Sequence, residues 1–455
     1  MPRLSFRWTG LPRTVVTGGL GRFSGGDPKV WTSNVFQVPT VFARVTATGV
    51  SPTTVPAELR AAVAEGSPVP IDAIAADFEV PSDWKASLRV EHDLDLVLGG
   101  LDFGTGYTLT AQALFTWTGN GFLWTNLAQT GLAAAEPTGI APDGRTIYAD
   151  LDDLRILNLV ALGNHGEGAS RILTAALGKR YDTGFELQAS YAWQDVEAVT
   201  EGLSSRGISN WRGIADADRN RPSARTSPYQ VTHSIKLNAG YERAFGRGFR
   251  VRADLFARAW SGDRFTYTFD VDRGNALFGR AGAGESPYDN NPLYVPARSG
   301  DPVVAYGAHF DRDAFFAYLD ANDIESGIHA PYSTDAGINQ VWDLRVRLEL
   351  PGISALNRWV GENRASLVLD VENVLNLLND EWGTYDAGPS FGQAAIVRAD
   401  LVSAADVAAL GVDGATPRIP RAPTRVARQA GSSPWFGPPR QDGSRPLGST
   451  HRTIP

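Results

Sequence analysis

Alternation of apolar and polar residues constrains this chain more than any other feature. It is clearest in Arg364–Trp382, where Ala365, Leu367, Leu369 and Val371 share one parity and Ser366, Val368, Asp370 and Glu372 the other. Successive side chains of a β-strand point to opposite faces of its sheet, so the pattern presents one apolar and one largely polar face. The stretch then breaks into Asn373, Asn376, Asn379 and Asp380, residues suited to a turn. Segments of the same kind recur along the chain: Leu4–Trp8, Thr14–Phe23, Ser82–Leu94, Gly106–Thr118, Leu154–Leu162, Ser170–Tyr181, Phe185–Gln194, Val231–Tyr241, Phe249–Trp260 and Trp342–Glu349.

The connections alternate in length. Leu11-Pro12, Gly99–Gly104, Asp182–Gly184 and Ala244–Gly248 are short, whereas Ser24–Pro81, Gly119–Asp150, Glu201–Pro228 and Asp270–Gln340 are long. Helices are predicted inside two of the long ones, at Ala57–Glu65 and Arg312–Asn322. A soluble β-sandwich spaces its turns more evenly. An outer-membrane barrel has short periplasmic turns and long external loops, with tilted strands of about 9–11 residues. Aromatics stand near both ends of the apolar faces, as with Tyr107 and Trp117 or Phe185 and Trp193, where two interfacial girdles would form. The fold expected is therefore all-β. It is an antiparallel transmembrane β-barrel, partial, about eleven or twelve strands of a larger one, with long extracellular loops. A soluble protein with half-buried strands is the alternative.

Composition supports the same reading. The 455 residues suffice for two or three ordinary domains or one large barrel, and the net charge of -8 argues against a nucleic-acid partner. The absence of cysteine excludes disulfides, thiolate metal sites and a thiol nucleophile. No run approaches the roughly 18 apolar residues of a spanning helix. Met1-Pro2-Arg3-Leu4-Ser5 leads directly into a strand without a secretory signal. The chain reads either as cytosolic or as a fragment lacking its true beginning.

Candidate chemistry is sparse. Asp216, Asp218 and Asn220 have the every-second-residue spacing that opens a calcium loop. Arg221 stands where that loop needs Gly and Ser227 where it needs Glu, so a solvated loop is the plainer reading. Glu285, Asp289, Asn290 and Asn291 cluster without ligand spacing, and the six histidines show none either. Gly18, Gly19 and Gly21 lie inside a strand with no helix following, which marks a bend or a close backbone approach, not a phosphate loop. Arg250, Arg252, Arg258, Arg345 and Arg347 fall on polar faces and are the candidates to line a lumen. There they would touch an acidic plug or substrate, or pair across strands with Asp254, Asp343 and Glu349. No nucleophile elbow or paired-carboxylate motif stands out, so neither enzymatic activity nor a cofactor is expected.

Three stretches, Val15–Asn34 (VVTGGLGRFSGGDPKVWTSN), Val80–Val90 (VPSDWKASLRV) and Gln340–Trp382, resemble the barrel of TonB-dependent outer-membrane receptors of the Oar-like group. Asn291–Pro296 (NPLYVP) is similar to that family's large late loop. The resemblance implies a plugged barrel in the outer membrane of a Gram-negative cell, importing an unidentified substrate with energy from the TonB complex. It also implies a plug domain and a TonB-contacting segment upstream of Met1, so that the chain is a C-terminal portion. Residues 1–402 form the barrel part on this reading, and the strand at Ala365–Val371 takes a later partner from about Phe391–Leu401. Residues 403–455 form an irregular tail rich in Pro, Gly and Arg. Pro434, Pro438, Pro439 and Pro446 forbid the closing strand, so a frameshift after about Trp435 is expected. The competing readings are a structural or adhesive barrel without transport and a soluble β-sandwich binding module.

Overall fold

The computed structural model of the protein describes residues 1–25, 28–36, 53–65, 70–95, 97–98, 101–102, 104–131, 137–151, 154, 156–270, 277–279, 290–298, 300–307, 309–352, 359, 361, 363–402 and 425–427. Ten strands form one continuous antiparallel wall in chain order. They are β1 (Arg3–Trp8), β2 (Thr14–Ser24), β3 (Ser82–Leu94), β4 (Tyr107–Asn126) and β5 (Ala169–Arg180), followed by β6 (Phe185–Ala198), β7 (His233–Phe245), β8 (Phe249–Ser261), β9 (Ile338–Leu350) and β10 (Ala365–Val371). Among the described residues no ladder joins β1 to β10, so the wall is an open section. No described helix is long and apolar enough to cross a membrane, which leaves crossing by strands untouched.

The register keeps the two faces chemically distinct. Leu187, Ala239, Leu255, Leu344 and Val371 form one apolar rung across β6 to β10. The adjacent rung, Glu186, Gly240, Asp254, Arg345 and Asp370, lies on the other face. A one-residue slip of any strand would exchange the faces, so the pattern itself specifies the pairing. Leu88, Leu173, Ile235 and Leu369 are 47%, 45%, 53% and 60% exposed. A sandwich would bury such residues under a second sheet; here the apolar face is bare. Trp84, Trp117 and Trp193 stand toward its long-loop end, and Trp8, Phe185 and Tyr241 toward its short-turn end. On β2, a Cβ added to Gly18 would meet the Phe6 ring at 2.6 Å and the Ser87 carbonyl oxygen at 2.9 Å. The glycine run thus serves close approach, as its place in a strand implies.

Two segments expected in the wall lie elsewhere. The strand read at Leu154–Leu162 is Leu159–His165, and it pairs with the far end of β4 and, in parallel, with Ile71–Ile74. β4 runs for 20 residues, well past the Thr118 end expected, and its excess supplies this outer ladder. The second, Gln393–Arg398, pairs in parallel with Arg264–Asp270 instead of extending β10. Its adjacent residues Ile396 and Val397, which point to opposite faces, are both buried, unlike the residues of a wall with one bare face. The tail contributes Arg425–Ala427, paired with Thr384–Asp386. The remainder of 403–455, including Pro434, Trp435 and the prolines after them, lies outside the described residues, as do Glu285 and Asp289.

Beyond the wall, the long connections pack into a cap with hydrophobic cores of its own. Phe265, Tyr267 and Phe269 of Arg264–Asp270 join Leu293, Val295, Ile396 and Val397 with Phe315 and Leu319 of the helix Arg312–Ala321. That helix starts at Asp311, whose Oδ1 accepts the Ala314 N–H at 2.9 Å. Its buried residues fall at i and i+4, one face of a helix. A second cluster gathers Trp124, Val160, Leu162, Ile208 and Trp211.

Candidate functional site

The polar face of the wall is a ladder of ion pairs. Arg252 is 2.7 Å from Asp254, 3.6 Å from Glu186 and 3.9 Å from Glu242. Arg250 bonds Glu242 at 2.7 Å and lies 3.7 Å from Glu349, which also sits 3.5 Å from Arg347. Gly240 makes room for this: a Cβ there would lie 2.9 Å from the Asp254 carboxylate. Arg345 pairs with Asp370 of β10 through two bonds of 2.6 and 3.0 Å, not with Asp343. Asp343 instead accepts the backbone N–H of Asn373 at 2.8 Å. The two strand neighbours of Arg345 offer acids on either side, and the edge strand supplies the freer one. Such partly exposed pairs contribute about 0–1 kcal/mol each; their main effect is to leave the face charge-balanced.

Arg258 departs from this pattern. Its guanidinium lies over the Trp260 ring, 4.4 Å from the centroid. Both line a cavity of about 750 Å³ on the polar face, with Lys236, Asn238, Phe256 and Tyr385. Of these, sequence reasoning singled out Arg258 alone. The Lys236–Arg258 juxtaposition was legible in the short β7–β8 connection, because Phe245 and Phe249 flank the turn and set every pair behind them.

The calcium-loop candidates build the cap. The Asp216 carboxylate accepts the Asp218 N–H at 3.2 Å, and Asp218 accepts the Asn220 N–H at 3.0 Å. The Tyr148 hydroxyl donates to both oxygens of Asp218 at 2.9 Å. The Asn220 Oδ1 accepts from the Asn126 N–H at 3.0 Å and the Trp211 Nε1–H at 2.9 Å. These side chains therefore tie the Glu201–Pro228 connection to the end of β4. Among the described residues no group of three or more His, Asp or Glu has the geometry to hold a metal ion. Asn290, from the other acidic cluster, donates to the Ile214 carbonyl at 3.0 Å and so ties two loops.

At the centre of the cap, buried Arg225 donates to the carbonyls of Ala198 and Val199 at 2.7 and 2.6 Å and to Glu201 at 3.2 Å. It lies 3.8 Å from Asp216 and 5.1 Å from the centroid of the Tyr332 ring. Burial pushes the Asp216 carboxyl up to about 6 and raises Glu201 in the same direction, Arg225 opposing both. The Tyr332 hydroxyl accepts the Ala215 N–H at 3.2 Å and so joins the Asp270–Gln340 connection to Glu201–Pro228 at the end of β6.

A single meander of amphipathic strands, polar on one face and bare on the other, defines a β-barrel wall. The model of the family described as outer membrane beta barrel domain matches residues 1–323. The chain belongs to this family, and its place is the outer membrane. No curated protein matches it. It is similar to the solved outer membrane transporter YddB from Escherichia coli at 8% identity and a TM-score of 0.37, over 83% of this chain and 36% of that one. It thus spans 36% of the transporter's length.

Proposed function

We propose that the chain is the wall and outer cap of a TonB-energised receptor that takes up a solute across the outer membrane. The bare apolar face meets lipid, the five arginines line the lumen, and the capped end faces outward. A plug and a TonB-contacting segment belong to the same receptor on this reading. The observation that carries it is the charge-balanced polar face (Arg252, Asp254, Glu242, Arg250, Glu349) running directly into a cavity that is not charge-balanced. A merely structural wall has no need of such a cavity. The resemblance of Val15–Asn34, Val80–Val90 and Gln340–Trp382 to Oar-like receptors supplies the energy source.

The test uses cells producing the protein together with the coding region upstream of Met1. The expected results are heat-modifiable mobility in the outer-membrane fraction and accumulation of tracers from a defined mixture of small organic acids, lost when an uncoupler collapses the proton-motive force. Accumulation that survives the uncoupler would overturn energised uptake. No accumulation from an intact, membrane-inserted protein would favour an adhesive or structural barrel. The cap's own hydrophobic cores are the feature that speaks for that second reading.

A further inference from the structure

The cavity on the polar face is where the ion-pair ladder stops. Lys236 of β7 and Arg258 of β8 are direct cross-strand partners, and like charges set opposite each other in a sheet repel. Among the described residues neither has a carboxylate partner, whereas Arg250, Arg252, Arg345 and Arg347 each have one. The acid on the cavity wall, Asp343, accepts the Asn373 N–H at 2.8 Å and keeps its charge, so the lining holds two cations to one anion. Two rungs away on the same face stands Phe256, opposite Asn238 and Asp343 and 43% exposed, an aromatic ring open to the cavity. The Asn238 Oδ1 is buried and accepts no hydrogen bond. About 750 Å³ is the size of a small-molecule site. Two cations and a bare ring therefore converge in a space that a small ring-bearing anion fills.

We infer that this cavity binds an aryl acid, a small solute joining a carboxylate or phosphate to a flat ring. The anionic group sits between Lys236 and Arg258, where it removes their mutual repulsion. The ring lies against Phe256, within the range of offset or edge-to-face aromatic packing. Trp260 holds Arg258 in place from behind, so the guanidinium is positioned before the solute arrives. The inference rests on the polar face being a solute path and names the class of solute.

The test is calorimetric titration of the detergent-folded full chain with phenylphosphate and phenylacetate, beside phenylacetamide and inorganic phosphate. Both aryl acids are expected to bind with Kd below about 1 mM, and phenylacetamide and inorganic phosphate at least about tenfold more weakly. Lys236→Gln and Arg258→Gln should each weaken aryl-acid binding about tenfold or more, since each removes a charge-assisted bond. Phe256→Ala should weaken the aryl acids and leave inorganic phosphate unchanged. Lys236→Arg and Arg258→Lys keep the charge and should keep binding, which separates loss of the site from loss of the fold. Arg13→Gln, whose pair with Asp95 lies at the short-turn end of the wall, should leave binding unchanged. Equal binding of phenylacetamide, indifference to the double variant Lys236→Gln/Arg258→Gln, or no binding to folded protein would overturn the inference. Binding without energised uptake would instead overturn the transport reading and leave the site standing.

Discussion

In the cap, Leu293 and Leu319 are 0% exposed; in the wall, Leu367 and Leu369 are 62% and 60% exposed. The same residue type is thus buried by protein in one region and left to its surroundings in the other. The difference extends to charge. Arg225, with its side chain 5% exposed, bonds carbonyls and carboxylates inside the cap. Arg345 and Asp370 pair with side chains 46% and 50% exposed. The cap behaves as an ordinary globular unit whose stability comes from excluding water. The wall has no interior, so its stability comes from its ladders and from what covers its apolar face. Local stability in one molecule is therefore governed by two different solvents.

Four substitutions probe that contrast. Arg225→Met should have the largest effect. It strands Glu201 and the orphaned carbonyls of Ala198 and Val199, at a cost of about 3–5 kcal/mol. Loss of Trp211 fluorescence on heating should report an earlier cap transition, while gel mobility of the wall stays heat-modifiable. Equal loss of both would show that wall and cap unfold as one unit.

Asp216 gives a pH signature of the cap alone. Its carboxyl rises from 3.8 to about 6 on burial, roughly 2 units, or about 3 kcal/mol at most at 1.4 kcal/mol per unit. Because the folded value is the higher one, this contribution is complete below about pH 4 and is lost as pH rises through about 6. His329 runs the other way: burial takes it from 6.5 down to about 4, so its contribution is present above 6.5 and lost as pH falls through about 4. The two oppose, and Glu201, raised in the same direction as Asp216, adds to its side. Asp216→Asn should tip the balance toward His329, so that the melting temperature at pH 7 rises relative to that at pH 4.5 when compared with the native cap. An unchanged profile would remove Asp216 from the account.

Leu255→Arg places a charge in the middle of the apolar face and should cost about 2–4 kcal/mol when the protein folds into lipid vesicles. Urea titration of vesicle-folded protein measures it, and no cost would mean that lipid does not cover this face. Arg345→Ala should have the smallest effect, under about 1 kcal/mol, because its pair is half-exposed. A larger loss in the same titration would show that the ladder is buried against further protein.

Much of the wall was legible because period-two patterning needs no tertiary knowledge. Phe185, Leu187, Ala189, Tyr191 and Trp193 announce a face wherever the strand ends up. The hairpin registers follow from tight turns such as Asp182–Gly184 and Gly246–Gly248. Beyond the wall, the helices Ala57–Glu65 and Arg312–Ala321 and, displaced, the strand Leu159–His165 were legible, whereas the helix Gly207–Arg212 that carries Ile208 and Trp211 was not. Arg264–Asp270 alternates Phe265, Tyr267 and Phe269 with Thr266 and Thr268, a strand signal available in the sequence. All five are buried, so the polar parity that marks a wall strand does not mark this one as exposed. Its parallel partner Gln393–Arg398 lies far along the chain, a pairing that no local pattern specifies. Asp216, Asp218 and Asn220 showed the spacing of a ligand set, yet Tyr148, Asn126 and Trp211 are the groups they meet. Spacing records which residues are near in sequence; the loop's folding decided what stood opposite them.

β4 belongs to both regions without interruption. Its first rungs pair with β3 and β5, and Gly121–Asn126 pairs with Leu159–His165. The strand runs on at this corner, but its ladders lapse: the one with β5 ends at Trp117, the outer one begins at Gly121, and the one with β3 carries a bulge over Gly119. At the β8–β9 corner the pairing is continuous: Ser261 opposes Ile338, Gly262 donates its N–H to the Gly337 carbonyl at 2.6 Å, Ala336 donates back to Asp263, and Arg264 opposes Asp335. The cap is therefore held more firmly over β8 and β9, the side of Arg258, and bending between cap and wall falls first where β4 bulges.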